Sequence, residues 1–236
     1  EKLIINERHE AWGSLARKLA HEIKNPLTPI QLTIDRLKEK YSNLLQEKDS
    51  ENFKDNLKII NNQIKQIGNL VNEFSDFARM PKPTMRENDI VVLIKENIRL
   101  LKELDNSIDI SLSTNLEKII LNSDKEQISR VFLNLIKNSI ESIQQKAENK
   151  SNFSKKIAIE LVEKDSHINL VIIDNGIGFR KFSDNIKDIL NPYFTTKKNG
   201  TGLGLSIVNK IINDHNGKIE FIPINDGAKI KIIFIK

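Results

Sequence analysis

The chain has no cysteine among its 236 residues, which excludes disulfides, thiolate zinc sites and cysteine nucleophiles. It also has no apolar run near the ~20 residues that a membrane-spanning helix needs, and its sequence predicts no signal peptide. Lysine and acidic residues are interleaved, no long basic block stands out and the net charge is only +5. We therefore expect no nucleic-acid partner. Because the chain begins with glutamate rather than methionine, we expect it to be a piece of a longer protein.

The first part of the chain predicts two long helices joined by a polar turn over residues 46–51. In the second helix, apolar residues recur at alternating steps of four and three, the pattern of a helix buried along one stripe. These residues are Phe53, Leu57, Ile60, Ile64, Ile67, Val71, Phe74 and Ala78. A similar stripe runs from Trp12 to Leu44, and Pro26 within it predicts a bend. Two helices cannot bury both stripes alone, so we predict a homodimer through residues 1–80, with a four-helix bundle formed from two hairpins.

A short linker at residues 81–84 follows, because two prolines in Met80–Pro83 stop the second helix. The pattern then changes to mixed α/β, which predicts a second domain over residues 85–236. Asp89 and Asp124 are predicted to cap helices that run to about residues 103 and 147. A third helix is predicted over 206–214, and strands are predicted over 108–113, 157–162, 167–173, 218–222 and 228–235.

His21 is the centre of the sharpest local feature in the first part. It lies two residues from both Leu19 and Ile23 of the stripe, about 200° around the helix, so its ring should face solvent. A lone surface histidine is usually only a surface residue. Here Glu22 is an adjacent proton acceptor for the neutral, nucleophilic imidazole. Asn25 lies one turn further on the same face, where its amide could orient a water or a phosphoryl oxygen.

Asn134 and Asn138 lie one turn apart on a predicted helix and share a face. Their neutral oxygens suit magnesium, which prefers hard oxygen ligands and keeps waters and substrate phosphates in its shell. Such a pair also occurs often by chance.

Asp174 directly follows an apolar strand and begins the segment Asp-Asn-Gly-Ile-Gly. A carboxylate there could accept a hydrogen bond from an exocyclic amine, while Gly176 and Gly178 would let the backbone approach a ligand closely. The same segment also fits an ordinary tight turn.

A glycine-rich run at residues 200–206 opens the predicted third helix. Backbone N–H groups and the helix dipole attract phosphate at such a place. No Gly-Lys-Ser/Thr follows the run, so it is not a P-loop. Just before it lies the segment Asn191–Lys197, which resembles the F-box of a mobile lid in histidine kinases. Phe194 could pack over the site, and Lys197 or Lys198 could meet phosphates.

In their order, these segments resemble the H-box, N-box, G1 box, F-box and G2 box of bacterial two-component sensor histidine kinases. The run Ala20–Leu32 resembles kinases of the nitrogen-regulation, NtrY type. The resemblance implies that His21 is the phosphoacceptor, Glu22 the base in autophosphorylation, and Asn25 an aid to dephosphorylation of the partner regulator.

For the second domain, the resemblance implies a Bergerat-type α/β sandwich that binds ATP and Mg²⁺. Asn138 would be the main magnesium ligand, with Asn134 nearby, and Asp174 would read the adenine amino group. The remaining ATP-binding residues would be Gly176, Gly178, Phe194, Lys197, Lys198, Gly200, Thr201, Gly202, Leu203 and Gly204. Two positions depart from the usual pattern: Ser139 stands where alanine is more common, and Asn191 replaces a glutamate.

The resemblance further implies a response-regulator receiver domain as partner, NtrX-like by analogy. It also implies a full-length protein anchored in the bacterial inner membrane, with this portion in the cytoplasm. Two other readings stay open. A gyrase- or chaperone-type ATPase shares the fold of the second domain but lacks a hairpin with His21 and Glu22. A non-enzymatic dimeric scaffold would not need Asn138, Asp174 and the G2 glycines.

Overall fold

The structure is a computed structural model that describes residues 2–41, 47–78, 80–104, 106–148, 153–179, 186–195, 197 and 200–236. The side chains of residues 2–17, 47, 48, 104, 186 and 187 lie outside this description. Two compact units make up the chain. One comprises Glu1–Pro81 with Thr196–Leu203, and the other comprises Lys82–Thr195 with Gly204–Lys236. Within the described residues, no helix is both long and apolar enough to cross a membrane.

The first unit contains two long helices, α1 (Lys2–Tyr41) and α2 (Glu47–Ala78). This confirms the predicted helix pair. Helix α1 continues through Pro26 and Pro29. The turn predicted over 46–51 is wrong from residue 47 onward, because α2 already begins there. That stretch is polar, but its glutamates and lysine are good helix formers.

The heptad pattern of α2 has two apolar positions, and the single hairpin buries only one of them. Leu57, Ile64 and Val71, spaced seven residues apart, are at most 8% exposed. Ile60 and Ile67, which alternate with them, are 45% and 42% exposed. A lone hairpin therefore covers only half of the apolar stripe of α2.

The same division holds on α1. Ile34 belongs to the buried cluster formed with α2. Leu19 and Ile23 were expected on the buried stripe, but each is 41% exposed, whereas Ala20 between them is buried. This exposure agrees with the expectation that two helices alone cannot bury both stripes; within the single hairpin, α1 turns Ala20 toward the interior.

The second unit is built around a mixed five-stranded sheet. Its strands are β2 (Asp109–Thr114), β4 (Lys156–Lys164), β5 (His167–Asp174), β6 (Lys218–Pro223) and β7 (Ala228–Ile235). They lie side by side in the order β2-β4-β5-β7-β6. Strands β2 and β4 are parallel, and the other neighbours are antiparallel. A separate antiparallel pair, β1 (Arg86–Asp89) and β3 (Ile120–Ser123), was not predicted.

Three helices pack against the sheet: α3 (Ile90–Leu104) on β2, α4 (Lys125–Ala147) on β5 and α5 (Gly204–Asp214) on β6. Helices α4 and α5 also pack on each other. A short 3-10 helix, Ile186–Leu190, lies in the connection between β5 and α5. Buried apolar residues of both layers form the core, among them Phe132, Leu135, Ile136, Ile143, Ile159, Leu161, Ile168, Ile207, Ile211, Ile232 and Phe234.

Two aspartates cap helices as predicted. Asp89 accepts the N–H groups of Val91 at 3.0 Å and Val92 at 3.4 Å at the start of α3. Asp124 accepts the N–H groups of Glu126 and Gln127, each at 3.1 Å, at the start of α4. These bonds satisfy donors that the first turn of a helix otherwise leaves unpaired. They fix where α4, the helix that carries the asparagine pair, begins.

Candidate functional site

The three polar residues of the histidine segment lie on α1 in the first unit. His21, Glu22 and Asn25 all have exposed side chains. Because His21 and Asn25 are four residues apart in a continuous helix, they share one face. A nucleophile must be accessible to its reactant. The exposed imidazole of His21, with a carboxylate beside it, meets this requirement.

The asparagine pair lies on α4, where both side chains are half-buried. The amide nitrogen of Asn134 donates to the carbonyl of Arg130 at 3.0 Å. Its amide oxygen would lie 3.4 Å from a Cβ built on Gly204, the first residue of α5. The fold therefore brings the asparagine helix and the end of the glycine-rich run together in the second unit. Within the described part of the chain, no three His, Cys, Asp or Glu residues cluster as metal ligands.

Asp174 ends strand β5 and is 4% exposed. One carboxylate oxygen accepts the hydroxyl of Ser139 on α4 at 2.9 Å, and the other accepts the N–H of Gly176 at 2.9 Å. The Ala228 N–H, on the neighbouring strand β7, also donates to this carboxylate. The carboxylate is thus held in one orientation by donors from three elements, which makes it a fixed hydrogen-bond acceptor.

Burial raises the pKa of Asp174, because removal from water disfavours the charged form. The donors from Gly176, Ser139 and Ala228 and the positive charge of Lys146 act in the opposite direction, but the pKa stays above its ordinary value. A buried acid with a raised pKa in a polar cluster is a typical property of a functional site.

Gly176 and Gly178 are required by internal packing. A Cβ on Gly176 would lie 2.2 Å from the Ser142 hydroxyl, and one on Gly178 would lie 2.1 Å from the carbonyl of Gly227. Gly178 also has a φ of 70°, which disfavours residues with a side chain. The space beside each glycine is filled by the protein itself; the close approach of a ligand to their backbone stays a prediction.

From the sequence, Ser139 stood out only as a departure from the family pattern, and the row that it forms with two further side chains along one face of α4 was missed. Ser139, Ser142 and Lys146 lie at spacings of three and four, and all contact the segment that begins at Asp174. Ser142 accepts the N–H of Ile177 at 3.0 Å, and the Lys146 ammonium donates to the carbonyls of Asn175 at 2.7 Å and Gly176 at 3.0 Å. Their helical spacing could have suggested a shared partner, but only the fold identifies that partner.

The glycine-rich run leads into α5, two residues earlier than predicted. The Gly200 N–H donates to the Lys197 carbonyl at 3.1 Å, and Gly202 has a φ of 69°. The Thr201 hydroxyl accepts the N–H of Leu203 at 3.3 Å and donates to the Glu73 carboxylate of α2 within the first unit. Leu203, the last residue of the run before α5 begins at Gly204, is fully buried.

The predicted lid residues are described only in part. Phe194 is 37% exposed and follows Tyr193, which has a φ of 68°. The Phe194 N–H donates to the carbonyl of Asn191 at 3.2 Å. Lys197 is exposed, and Lys198 lies outside the described residues. The structure thus places Asn134, Asn138, Asp174 and Gly204 on or beside α4. The side chains of Phe194 and Lys197 are exposed to solvent.

Two protein families match the chain, one in each part. Residues 11–83 match the His Kinase A (phospho-acceptor) domain, and residues 123–235 match the Histidine kinase-, DNA gyrase B-, and HSP90-like ATPase. The chain belongs to the sensor histidine kinase family. This confirms the resemblance that the sequence segments indicated, as well as the predicted pairing of a helical hairpin with an α/β ATPase-type domain.

Relatives of NtrY type match along almost the whole chain. An NtrY-like sensor histidine kinase of Rickettsia felis is 37% identical over 98% of the chain, and the nitrogen regulation protein NtrY of Azorhizobium caulinodans is 36% identical over 98%. The chain covers 37% of the length of the first protein and 30% of the second. It therefore corresponds to about a third of these relatives.

Solved histidine kinase structures share the fold. The histidine kinase ThkA in complex with the response regulator protein TrrA matches 98% of the chain and 64% of its own chain, with a TM-score of 0.66 and 27% identity. The catalytic domain of ThkA matches 64% of the chain and 95% of its own, with a TM-score of 0.55 and 29% identity. The kinase family thus accounts for both parts of this chain.

Proposed function

We propose that the chain binds ATP through its second unit and transfers the terminal phosphoryl group to His21 of the first. The observation that carries this proposal is the Asp174 carboxylate, buried and fixed as an acceptor beside the asparagine helix. An acceptor of this kind suits the exocyclic amino group of adenine. The match of residues 123–235 to an ATPase family supports the use of ATP.

Asn138 would hold Mg²⁺ together with the phosphates of ATP, and Asn134 would lie nearby. The donor set fits, since α4 offers half-buried amide oxygens, and magnesium takes few protein ligands when phosphates and waters complete its shell. When bound, the ion neutralises charge on the phosphate oxygens. Lys197, Lys198 and the N–H groups of residues 200–204 would hold the same phosphates, with Phe194 packing over the nucleotide.

In the transfer itself, a ring nitrogen of His21 attacks the γ-phosphorus, and the bond from that phosphorus to the bridging β–γ oxygen breaks. ADP leaves with the bond's electron pair, and Glu22 takes the imidazole proton. The product is a phosphoramidate on His21. Most of the acceleration comes from positioning and charge stabilisation, because a phosphoryl transfer needs little covalent help from the protein.

We also propose that residues 1–80 form a homodimer. The exposed half of the hairpin's apolar stripe supports this, since Leu19, Ile23, Ile60 and Ile67 are each 41–45% exposed. A second hairpin that covers this face would complete a four-helix bundle. Residues 81–84 would then link this hairpin to the ATP-binding domain at residues 85–236.

The phosphoryl group on His21 would pass to an aspartate of a response-regulator receiver domain, NtrX-like by analogy with the NtrY relatives. In the reverse regulatory mode, Asn25 would place a water against the phosphoaspartate of that regulator. By the same analogy, the full-length protein would be anchored in the inner membrane, with this core in the cytoplasm.

Incubation with γ-labelled ATP and magnesium tests the proposal. We expect protein-bound label that is acid-labile and alkali-stable, as a phosphoramidate is, and that is absent in His21→Ala. Release of labelled phosphate without protein label would favour a gyrase- or chaperone-type ATPase. Neither label nor hydrolysis would favour a non-enzymatic scaffold.

Asn138→Ala should abolish labelling while circular dichroism stays unchanged, because the variant removes a magnesium ligand on the surface of α4. Full labelling in this variant would contradict the metal role.

Asn25→Ala should keep autophosphorylation but weaken dephosphorylation of the regulator, because the amide acts on water and not on ATP. Unchanged dephosphorylation of a phosphorylated receiver domain would remove that role.

A further inference from the structure

Lys146, in the last turn of α4, is a nearly buried cation beside the proposed adenine site. Its side chain is only 11% exposed. The ammonium donates to the carbonyls of Asn175 and Gly176 and to the carboxylate of Asp226, and it lies 5.1 Å from the ring centre of Phe153. A lysine has three donors, and all three are used here. Burial of a cation to this degree costs free energy unless the cation is fully paired. The three hydrogen bonds therefore hold the ammonium in one position.

One of these contacts connects Lys146 to the carboxylate that is proposed to read the base. The peptide group between Asn175 and Gly176 accepts the ammonium through its C=O at 2.7 Å and donates to Asp174 through its N–H at 2.9 Å. The lysine therefore fixes the orientation of the very peptide that holds Asp174. Hydrogen bonds in such a chain polarise one another, so a charged donor at one end strengthens the N–H donor at the other.

We propose that Lys146 is a positioning residue for base recognition: through the Asn175–Gly176 peptide it holds the Asp174 carboxylate, so that the site selects a purine with an amino group at position six. This inference rests on the proposed ATP site. Without the ammonium, the peptide can rotate and Asp174 loses a donor. A purine with an oxo group at position six presents an acceptor where adenine presents its amino donor. Its remaining donor on that edge is the ring N1–H, which lies at a different position, so a carboxylate fixed for the amino group holds this base less well.

The test is the selectivity between ATP and inosine triphosphate, which differ at position six and share their phosphates. Binding of each nucleotide, with magnesium, is measured by calorimetry on the whole chain. For Lys146→Met, we expect ATP affinity to fall about tenfold and inosine triphosphate affinity to change little, so that the selectivity ratio falls about tenfold. The matched control is Lys125→Met on the same helix, whose lysine forms an exposed ion pair with Glu96; it should keep the wild-type ratio.

Equal weakening of both nucleotides in Lys146→Met would overturn the inference, because it would point to the phosphate part of the site or to general loss of structure. An unchanged ratio would overturn it as well. If this variant fails to fold, Lys146→Gln decides, since the amide keeps a donor without the charge. A ratio below wild type supports the inference, and the wild-type ratio refutes it. Failure of the wild-type chain to bind ATP would instead refute the proposed function.

Discussion

Gly176→Ala is expected to destabilise the second unit in the absence of any nucleotide. The new Cβ would lie 2.2 Å from the Ser142 hydroxyl oxygen, 2.7 Å from the Ser142 backbone carbon and 2.8 Å from its Cβ. Two of these three atoms belong to the backbone or lie next to it, so a rotamer change alone cannot relieve the overlap. Either α4 or the segment after β5 must shift.

The cost has two parts. Overpacking of a closely packed contact costs about 1–3 kcal/mol. A shift of Ser142 also weakens its hydrogen bond to the Ile177 N–H, which is worth about 1 kcal/mol. We therefore expect a loss of about 2–4 kcal/mol in the free energy of unfolding of this unit. Gly68→Ala on α2 is the matched control, because no atom lies within 4 Å of its added Cβ. It should stabilise the helix by about 0.5–1 kcal/mol.

Amide hydrogen exchange followed by mass spectrometry suits this comparison, because peptides from β5 and from α2 report on the two units separately. In Gly176→Ala, the most protected amides of β5 should exchange at least ~30-fold faster. Ser142→Ala should restore part of this loss in the double variant. Wild-type exchange of β5 in Gly176→Ala would refute the argument that this glycine serves internal packing.

Two further predictions concern acidic groups. Burial opposes ionisation of Asp124, but the N–H groups of Thr84, Gln127 and Glu126 hold its pKa below the ordinary value. The ionised cap therefore stabilises the fold at pH values above the pKa of Asp124 in the unfolded chain. This contribution is lost as the pH falls through the pKa of Asp124 in the folded protein. Asp124→Ala should therefore cost about 1–2 kcal/mol at pH 7 and much less in acid, as measured by denaturant unfolding; an equal loss at both pH values would contradict the cap. Ionisation of Asp174 has the opposite effect on stability. Burial raises the pKa of Asp174, so the fold loses stability as the pH rises through the pKa of Asp174 in the folded protein. Asp174→Asn should abolish ATP binding without lowering thermal stability at pH 7, and a clear drop in that stability would contradict the sign.

The fold was predictable where the signal is local. The seven-residue spacing in α2, the alternation in the sheet strands and the caps at Asp89 and Asp124 all appear in short stretches of sequence, and the structure confirms them. Strand β1 was missed because Arg86–Asp89 is short and polar, with no apolar alternation to reveal it. Pairing with β3, more than thirty residues away, supplies what the local sequence lacks.

The sequence named candidate site residues whose roles stay predictions, and it did not show the contacts that hold those residues in place. The sequence singled out Asp174 and the glycines after it. It could not show that Ser142 fills the space beside Gly176, or that Lys146 reaches the following peptide, because these contacts join residues about thirty positions apart. The sequence indicated that two helices cannot bury both stripes alone, but it could not show which residues a single hairpin leaves exposed, among them Leu19 and Ile23. The proposed roles of His21, Glu22 and Asn25 stay predictions.

The central claim is that phosphoryl transfer ends on one imidazole. The chain has four histidines, namely His9, His21, His167 and His215, so the claim is tested most directly by locating the modified residue. After reaction with ATP and magnesium, the protein is digested at neutral pH and the peptides are sequenced by mass spectrometry under conditions that preserve phosphohistidine. The account predicts a phosphoryl group on His21 alone. A phosphoryl group on another residue, with His21 unmodified, would contradict it.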